Sequence, residues 1–237
     1  MSNAFGTAQP VSTSLSVADR ARVAEFMRGV FWWMAVGLLI TAGVAAGVAM
    51  TPSIVNALAS SQLLFFGLII AELGLVFYLA RRVNTLAPAT AGALFITYAA
   101  LNGVTFSLVL LVYTGASVAS TFIVAAGMFG SLALYGLVTK RDLSAMGRFM
   151  FMGLIGLILT SVVGFFWHSD ALQFAIGVVG VVVFAGLTAY DTQRLSAMAL
   201  SMQSGQAGSY AIAGALALYL DFVNMFLSLL RIFGRRN

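Results

Sequence analysis

Long apolar runs separated by short polar stretches set the pattern of this chain. Residues 1–15 are small and polar without periodicity, which predicts a mobile leader. Ser16 stands where it can cap a short amphipathic helix carrying Asp19, Arg20, Arg22, Glu25 and Arg28. Seven apolar runs follow, at 29–50, 63–80, 89–113, 118–138, 149–167, 171 to at least 190, and 210–233. A helix needs roughly 20 apolar residues to cross the hydrocarbon of a bilayer, and every run is near that length or beyond it. The first run is too long, and its leader too extended, for a signal peptide; it reads as a span of the mature protein. The pattern predicts an all-α, polytopic membrane protein with seven transmembrane helices. Its parts are an N-terminal segment (1–28), a seven-helix membrane domain (29–234) and a C-terminal tail (235–237).

Composition narrows the class. Of 237 residues, 61% are hydrophobic and 8% charged, against about 25% charged in an ordinary soluble domain. So few charges cannot cover a core of this size in water, which excludes a soluble globular protein and a disordered one. Cysteine is absent and His168 is the one histidine, so a disulfide framework, a thiolate nucleophile and a zinc ligand set are all missing. The chain has no P-loop, no His-Glu-x-x-His and no Gly-x-Ser-x-Gly. Neither an ATP-driven pump nor a hydrolase is indicated; the expectation is a protein that is not an enzyme and has no cofactor.

The net charge of +5 comes from 12 basic and 7 acidic residues. The basic residues cluster between apolar runs, as orientation signals do, so no nucleic-acid partner is expected. Arg20, Arg22 and Arg28 precede the first run; Arg81 and Arg82 follow the second; Lys140, Arg141 and Arg148 follow the fourth; Arg194 follows the sixth. The alternate loops contain no Lys or Arg. The N-terminus is therefore predicted to be cytoplasmic, with Trp32 and Trp33 at the inner boundary and Trp167 at the outer one. Arg231, Arg235 and Arg236 at the tail run against this rule. Either the C-terminus lies outside or the last segment is re-entrant; the early helices usually decide orientation, which favours a full crossing.

The informative polar residues are carboxylates inside apolar runs, where a charge costs roughly 2.5–3.5 kcal/mol on insertion scales. Asp221 is near the middle of the seventh run and shares a helical stripe with Tyr210, Gly214, Asn224 and Ser228. A buried Asp can also act as glue between helices; here function is the stronger reading. Asp191 is placed at the inner end of the sixth helix, where it can pair with Arg194 at i+3 or simply be hydrated. Helices six and seven should be antiparallel, with the two aspartates about one to two turns apart in depth. Two close carboxylates away from water cannot both ionise readily, so such a pair would share one proton. The helix end beside Asp191 would add to that tendency. Two carboxylates without sulfur or imidazole make a weak, open site for a hard cation such as Ca²⁺. Glu72, inside the second run, either lines the same cavity or is a structural group bonded to Ser or Thr. Arg81 and Arg82 read as snorkelling topology signals, or as a latch reaching Asp191 in competition with Arg194. The pairs Gly43/Gly47, Gly153/Gly156 and Gly177/Gly180 suggest close helix packing. His168 with Asp170 suggests a solvated turn, and the 11 methionines read as gap fillers or lipid-facing side chains.

Three stretches carry a family resemblance: Thr139–Ser144 (Thr-Lys-Arg-Asp-Leu-Ser), Ala189–Arg194 (Ala-Tyr-Asp-Thr-Gln-Arg), and Leu218–Asn224 continuing to Leu229–Gly234. With them the chain resembles the bacterial branch of the Bax inhibitor-1 family over nearly its whole length. The resemblance implies a seven-helix fold whose last helix is enclosed by two layers of three helices. It also implies a pH-sensitive calcium leak in the bacterial inner membrane, gated by an aspartate pair at the positions of Asp191 and Asp221. An arginine from helix two would latch one aspartate, with Arg81 and Arg82 both in register; the segment holding Ser204, Gly205 and Gly208 looks flexible. On the residues, the site is Asp191 and Asp221, with Arg81, Arg82 and Arg194 as latch candidates and Glu72, Asn224 and Ser228 as pore-lining candidates. A second function stays open, a membrane regulator that binds and restrains another membrane protein such as a protease through the N-terminal segment. A third is a proton-coupled transporter of small solutes.

Overall fold

A computed structural model describes residues 16–83, 85–167, 169–202 and 207–237. The predicted leader, His168, and Ser204 with Gly205 lie outside the described residues.

Among the described residues the chain forms eight helices: α1 (Val17–Ala49), α2 (Pro52–Ser60), α3 (Gln62–Arg82), α4 (Pro88–Val112), α5 (Gly115–Val138), α6 (Ser144–Phe166), α7 (Asp170–Ser201) and α8 (Ala207–Phe233). Seven of them are long and apolar enough to cross a bilayer. Helix starts follow local chemistry. Ser16, Ser61, Thr114 and Ser169 each accept a hydrogen bond from a backbone N–H three residues on, and Pro52 and Pro88 occupy first-turn positions where a missing N–H costs nothing.

Two expectations change and a third gains its upper bound. The short amphipathic helix and the first span are one uninterrupted helix, α1, because no proline or unfavourable backbone position intervenes at Gly29. The loop after it contains α2, too short to span. And α7 runs on to Ser201: polar side chains such as Gln193 and Arg194 end the apolar pattern without ending the helix.

The helices α1, α3 and α4 pack together on one side and α5, α6 and α7 on the other, with α8 between the layers against α1, α4, α5 and α7. In the apolar windows of these helices, 72% of α8 is buried, against 6% for α3 and 11% for α6. The chain thus has a central, mostly buried helix and peripheral ones that expose most of their apolar surface. Close approach uses glycine, though not the pair the sequence suggested. A Cβ added at Gly43 or Gly47 would meet nothing within 4 Å, and α1 meets α4 instead through Gly103, where an added Cβ would sit 2.8 Å from the Thr41 carbonyl oxygen. Gly177 and Gly180 do pack tightly, on Ile232 and Ser228 of α8. Gly153 approaches Val183, whereas Gly156 is open.

The last helix crosses completely. Near its start, Ser209 Oγ donates to the Leu86 carbonyl at the α3–α4 turn. Beyond its end, Arg236 forms an antiparallel bridge with Tyr113, and Arg235 N donates to Ser117 Oγ, at the α4–α5 turn. The tail therefore lies on the face opposite the arginine-rich loops, and the re-entrant alternative falls away.

Candidate functional site

On α8, residues two positions apart point about 200° apart around the axis, so Tyr219 and Asp221 face different layers. Tyr219 is fully buried and joins a polar chain. Its hydroxyl is 2.6 Å from Thr41 Oγ1 and donates to Asn102 Oδ1 at 3.2 Å. Asn102 Nδ2 donates to Tyr98 Oη. The rings of Phe95 and Tyr98 meet Tyr219 edge-on. This network ties α8 to α1 and α4.

Asp221 faces α7. It is 5% exposed, and its Oδ2 is buried without a hydrogen-bond partner. A pocket of about 660 Å³ between α6, α7 and α8 is lined by Asp221, Asp191, Arg194, Arg148, Asn224 and apolar side chains. The two aspartates predicted to meet therefore line one cavity. Asp191 lies ten residues before the end of α7 and Asp221 fourteen after the start of α8. At 1.5 Å per residue their depths differ by about 6 Å, roughly one turn. Because α7 continues past Asp191, the expected contribution of a helix end at that carboxyl is removed.

Arg194 Nη1 lies 3.5 Å from Asp191 Oδ1, with the arginine side chain 60% exposed and the aspartate 17%. Arg81 and Arg82 are exposed at the end of α3 and do not line the pocket. They belong to the other layer, where α3 packs mainly on α4, so the structure does not bring them to Asp191. Glu72 is likewise outside the pocket; its Oε1 accepts from Thr105 Oγ1 of α4 at 2.6 Å, the structural alternative of the two. Asn224 lines the pocket, with Nδ2 donating to the Leu220 carbonyl. Ser228 instead packs on Gly180 and donates to the Asn224 carbonyl, so it is a packing contact. Among the described residues no three His, Cys, Asp or Glu side chains group as a metal site; the two carboxylates are the anionic ligands on offer.

Two features went unread in the sequence. Gln193, quoted inside its motif but given no role, clasps the α5–α6 connection, with Nε2 donating to the Arg141 carbonyl at 2.8 Å and Oε1 accepting from Leu143 N at 2.9 Å. Asn102 was legible only as a polar residue four positions after Tyr98 in an apolar run.

Fold and site together define a polytopic membrane protein of seven spans built round a central helix that carries a buried aspartate. The sequence model described as "Inhibitor of apoptosis-promoting Bax1" matches residues 23–237, and the chain belongs to this Bax inhibitor-1 family. It is 48% identical over 230 residues to inner membrane protein YbhL of Escherichia coli, covering 96% of this chain and 98% of that protein. An uncharacterized protein of Deinococcus radiodurans is 48% identical over 97% of each chain. Another, from Borreliella burgdorferi, is 40% identical over 90% of this chain and 92% of its own.

Proposed function

We propose that this protein is a passive leak for a hard cation, calcium foremost, in a bacterial inner membrane, controlled by a proton shared between Asp191 and Asp221. The N-terminus is on the cytoplasmic side, and the protein is neither an enzyme nor dependent on a cofactor. The observation that carries this reading is Asp221 Oδ2, buried without a partner on a cavity that Asp191 also lines. An aspartate serving as interhelical glue would be bonded, because an unsatisfied buried oxygen costs about 1–3 kcal/mol or more. With one proton between them the two carboxyls attract. Without it, two negative charges face each other away from bulk water, and they separate or take a cation. An oxygen-only set of two carboxylates suits Ca²⁺ but binds it weakly, as passage requires. Arg194 competes with the cation for Asp191. The orientation rests on nine of the twelve basic residues sharing the face where α1 begins.

The test is Ca²⁺ flux in liposomes holding the purified protein, read with an entrapped calcium dye across a pH series. Asp221→Asn flattens the pH response and changes the flux. An Asp221→Asn protein that leaks like the parent at every pH overturns the proposal.

A further inference from the structure

The Thr139–Ser144 stretch has no part in the proposed leak, yet it is held in a defined shape. Gln193 clasps it through the Arg141 carbonyl and the Leu143 amide. Within it, Thr139 Oγ1 accepts from Arg141 N, and Asp142 Oδ1 accepts from Ser144 N at 2.8 Å. Both clasping bonds use backbone atoms of the loop, which leaves the Lys140 and Arg141 side chains free to border a pocket of about 380 Å³. Its other wall is Tyr190, Gln193 and Arg194 of α7. Tyr190 is fixed there by close packing on Gly147 of α6. Three cations thus meet one carboxylate, Asp142, whose hydrogen bond to the Ser144 amide turns it to its own loop. Neither Lys140 nor Arg141 has an ion-pair partner among the described residues.

We propose that this pocket binds a phosphate-type anion through Lys140, Arg141 and Arg194, and that Arg194 is shared between the anion and Asp191. A guanidinium fork matches two phosphate oxygens, and an ammonium adds a mobile point charge. The pocket lies at the connection between two membrane-spanning helices, α5 and α6, a place that a lipid phosphate can reach; a free phosphate presents the same oxygens. Arg194 lines this pocket and the aspartate cavity alike, and its exposed side chain is free to turn from one to the other. Coupling of this kind is reciprocal: an anion that draws Arg194 away weakens its pairing with Asp191, and removing Asp191 strengthens anion binding. The anion site does not depend on the leak reading, and its test does not measure flux.

Native mass spectrometry of the full-length protein with phosphatidylglycerol and phosphatidylcholine reads the site directly. Phosphatidylglycerol is expected to be retained in preference to phosphatidylcholine. The preference is lost in Lys140→Gln/Arg141→Gln and kept in Arg81→Gln/Arg82→Gln, which removes equal charge from the same face. Equal loss in both variants overturns the site, since it marks general surface charge. If the parent shows no lipid preference, inorganic phosphate is tested for protection against thermal unfolding. Protection lost in the Lys140→Gln/Arg141→Gln protein assigns the site to a free anion, and no protection overturns it. All four substituted side chains are exposed, so the fold is kept. Asp191→Asn tightens anion binding and Arg194→Gln erases that gain; unchanged binding in Asp191→Asn overturns the sharing.

Discussion

The two faces of α8 bury polar groups at nearly the same depth and treat them in opposite ways. On the α1/α4 face, the Tyr219 hydroxyl sits between Thr41 and Asn102, and each of these finds a further partner. On the α6/α7 face, Asp221 presents a buried oxygen with no partner to a cavity. A buried polar network in which every member is satisfied rigidifies and specifies packing. A buried oxygen left unsatisfied subtracts from stability, and residues that do so are candidates for function. One helix, two residues apart, thus separates a structural clamp from the candidate site proposed for the leak.

The comparison can be broken most decisively at Asp221. Asp221→Asn should abolish the pH response of ion flux while leaving thermal stability in detergent unchanged or raised, because the replacement carries no charge into the interior. A large loss of stability would place Asp221 with the structural face instead. Next is Tyr219→Phe, which strands Asn102 and Thr41 and should lower unfolding free energy by about 1–3 kcal/mol. The pH response of flux should survive it; loss of that response would mean that the two faces act as one. Gln193→Ala removes two hydrogen bonds from the α5–α6 connection, a cost of about 1–3 kcal/mol at a net value near 1 kcal/mol each. It should also raise amide hydrogen exchange at Arg141–Ser144 while leaving α8 protected. The smallest effect is at Asp142, outside the spans. Its bond to Ser144 holds its carboxyl below the usual aspartate range. A depressed folded value means that the contribution is present above the unfolded value, near about 4. It is lost as pH falls through the lower folded value. Asp142→Asn should therefore destabilise slightly at neutral pH and not at all at strongly acidic pH, measured by paired unfolding curves.

Much of the fold was legible because a bilayer imposes a length on every crossing, and seven apolar runs of that length can hardly be read otherwise. The end of α7 was legible only as a lower bound, at or beyond Tyr190. Apolar periodicity stops near Tyr190, but a helix whose following turns project beyond the apolar layer needs no apolar pattern to continue, and α7 adds eleven residues to Ser201. Gly43 and Gly47 misled for a related reason: a small-residue pattern permits close packing without saying that a partner helix is present, and a Cβ added at either would meet nothing within 4 Å.

The site divides in the same way. Asp191 and Asp221 stood out in the sequence because charge inside an apolar run is expensive wherever it falls. The Asp191–Arg194 pair is local, three residues apart on one helix, but the sharing of one cavity by the aspartates, the exclusion of Arg81 and Arg82 from it, and the withdrawal of Glu72 to Thr105 were decided by which layer each helix joins. That is a property of packing between segments far apart in the chain. The sequence by itself determined the spans and the residues too polar to sit there without a reason. Only the tertiary structure decided which of those residues are satisfied by a neighbour and which are not, because satisfaction depends on contacts that no local pattern records.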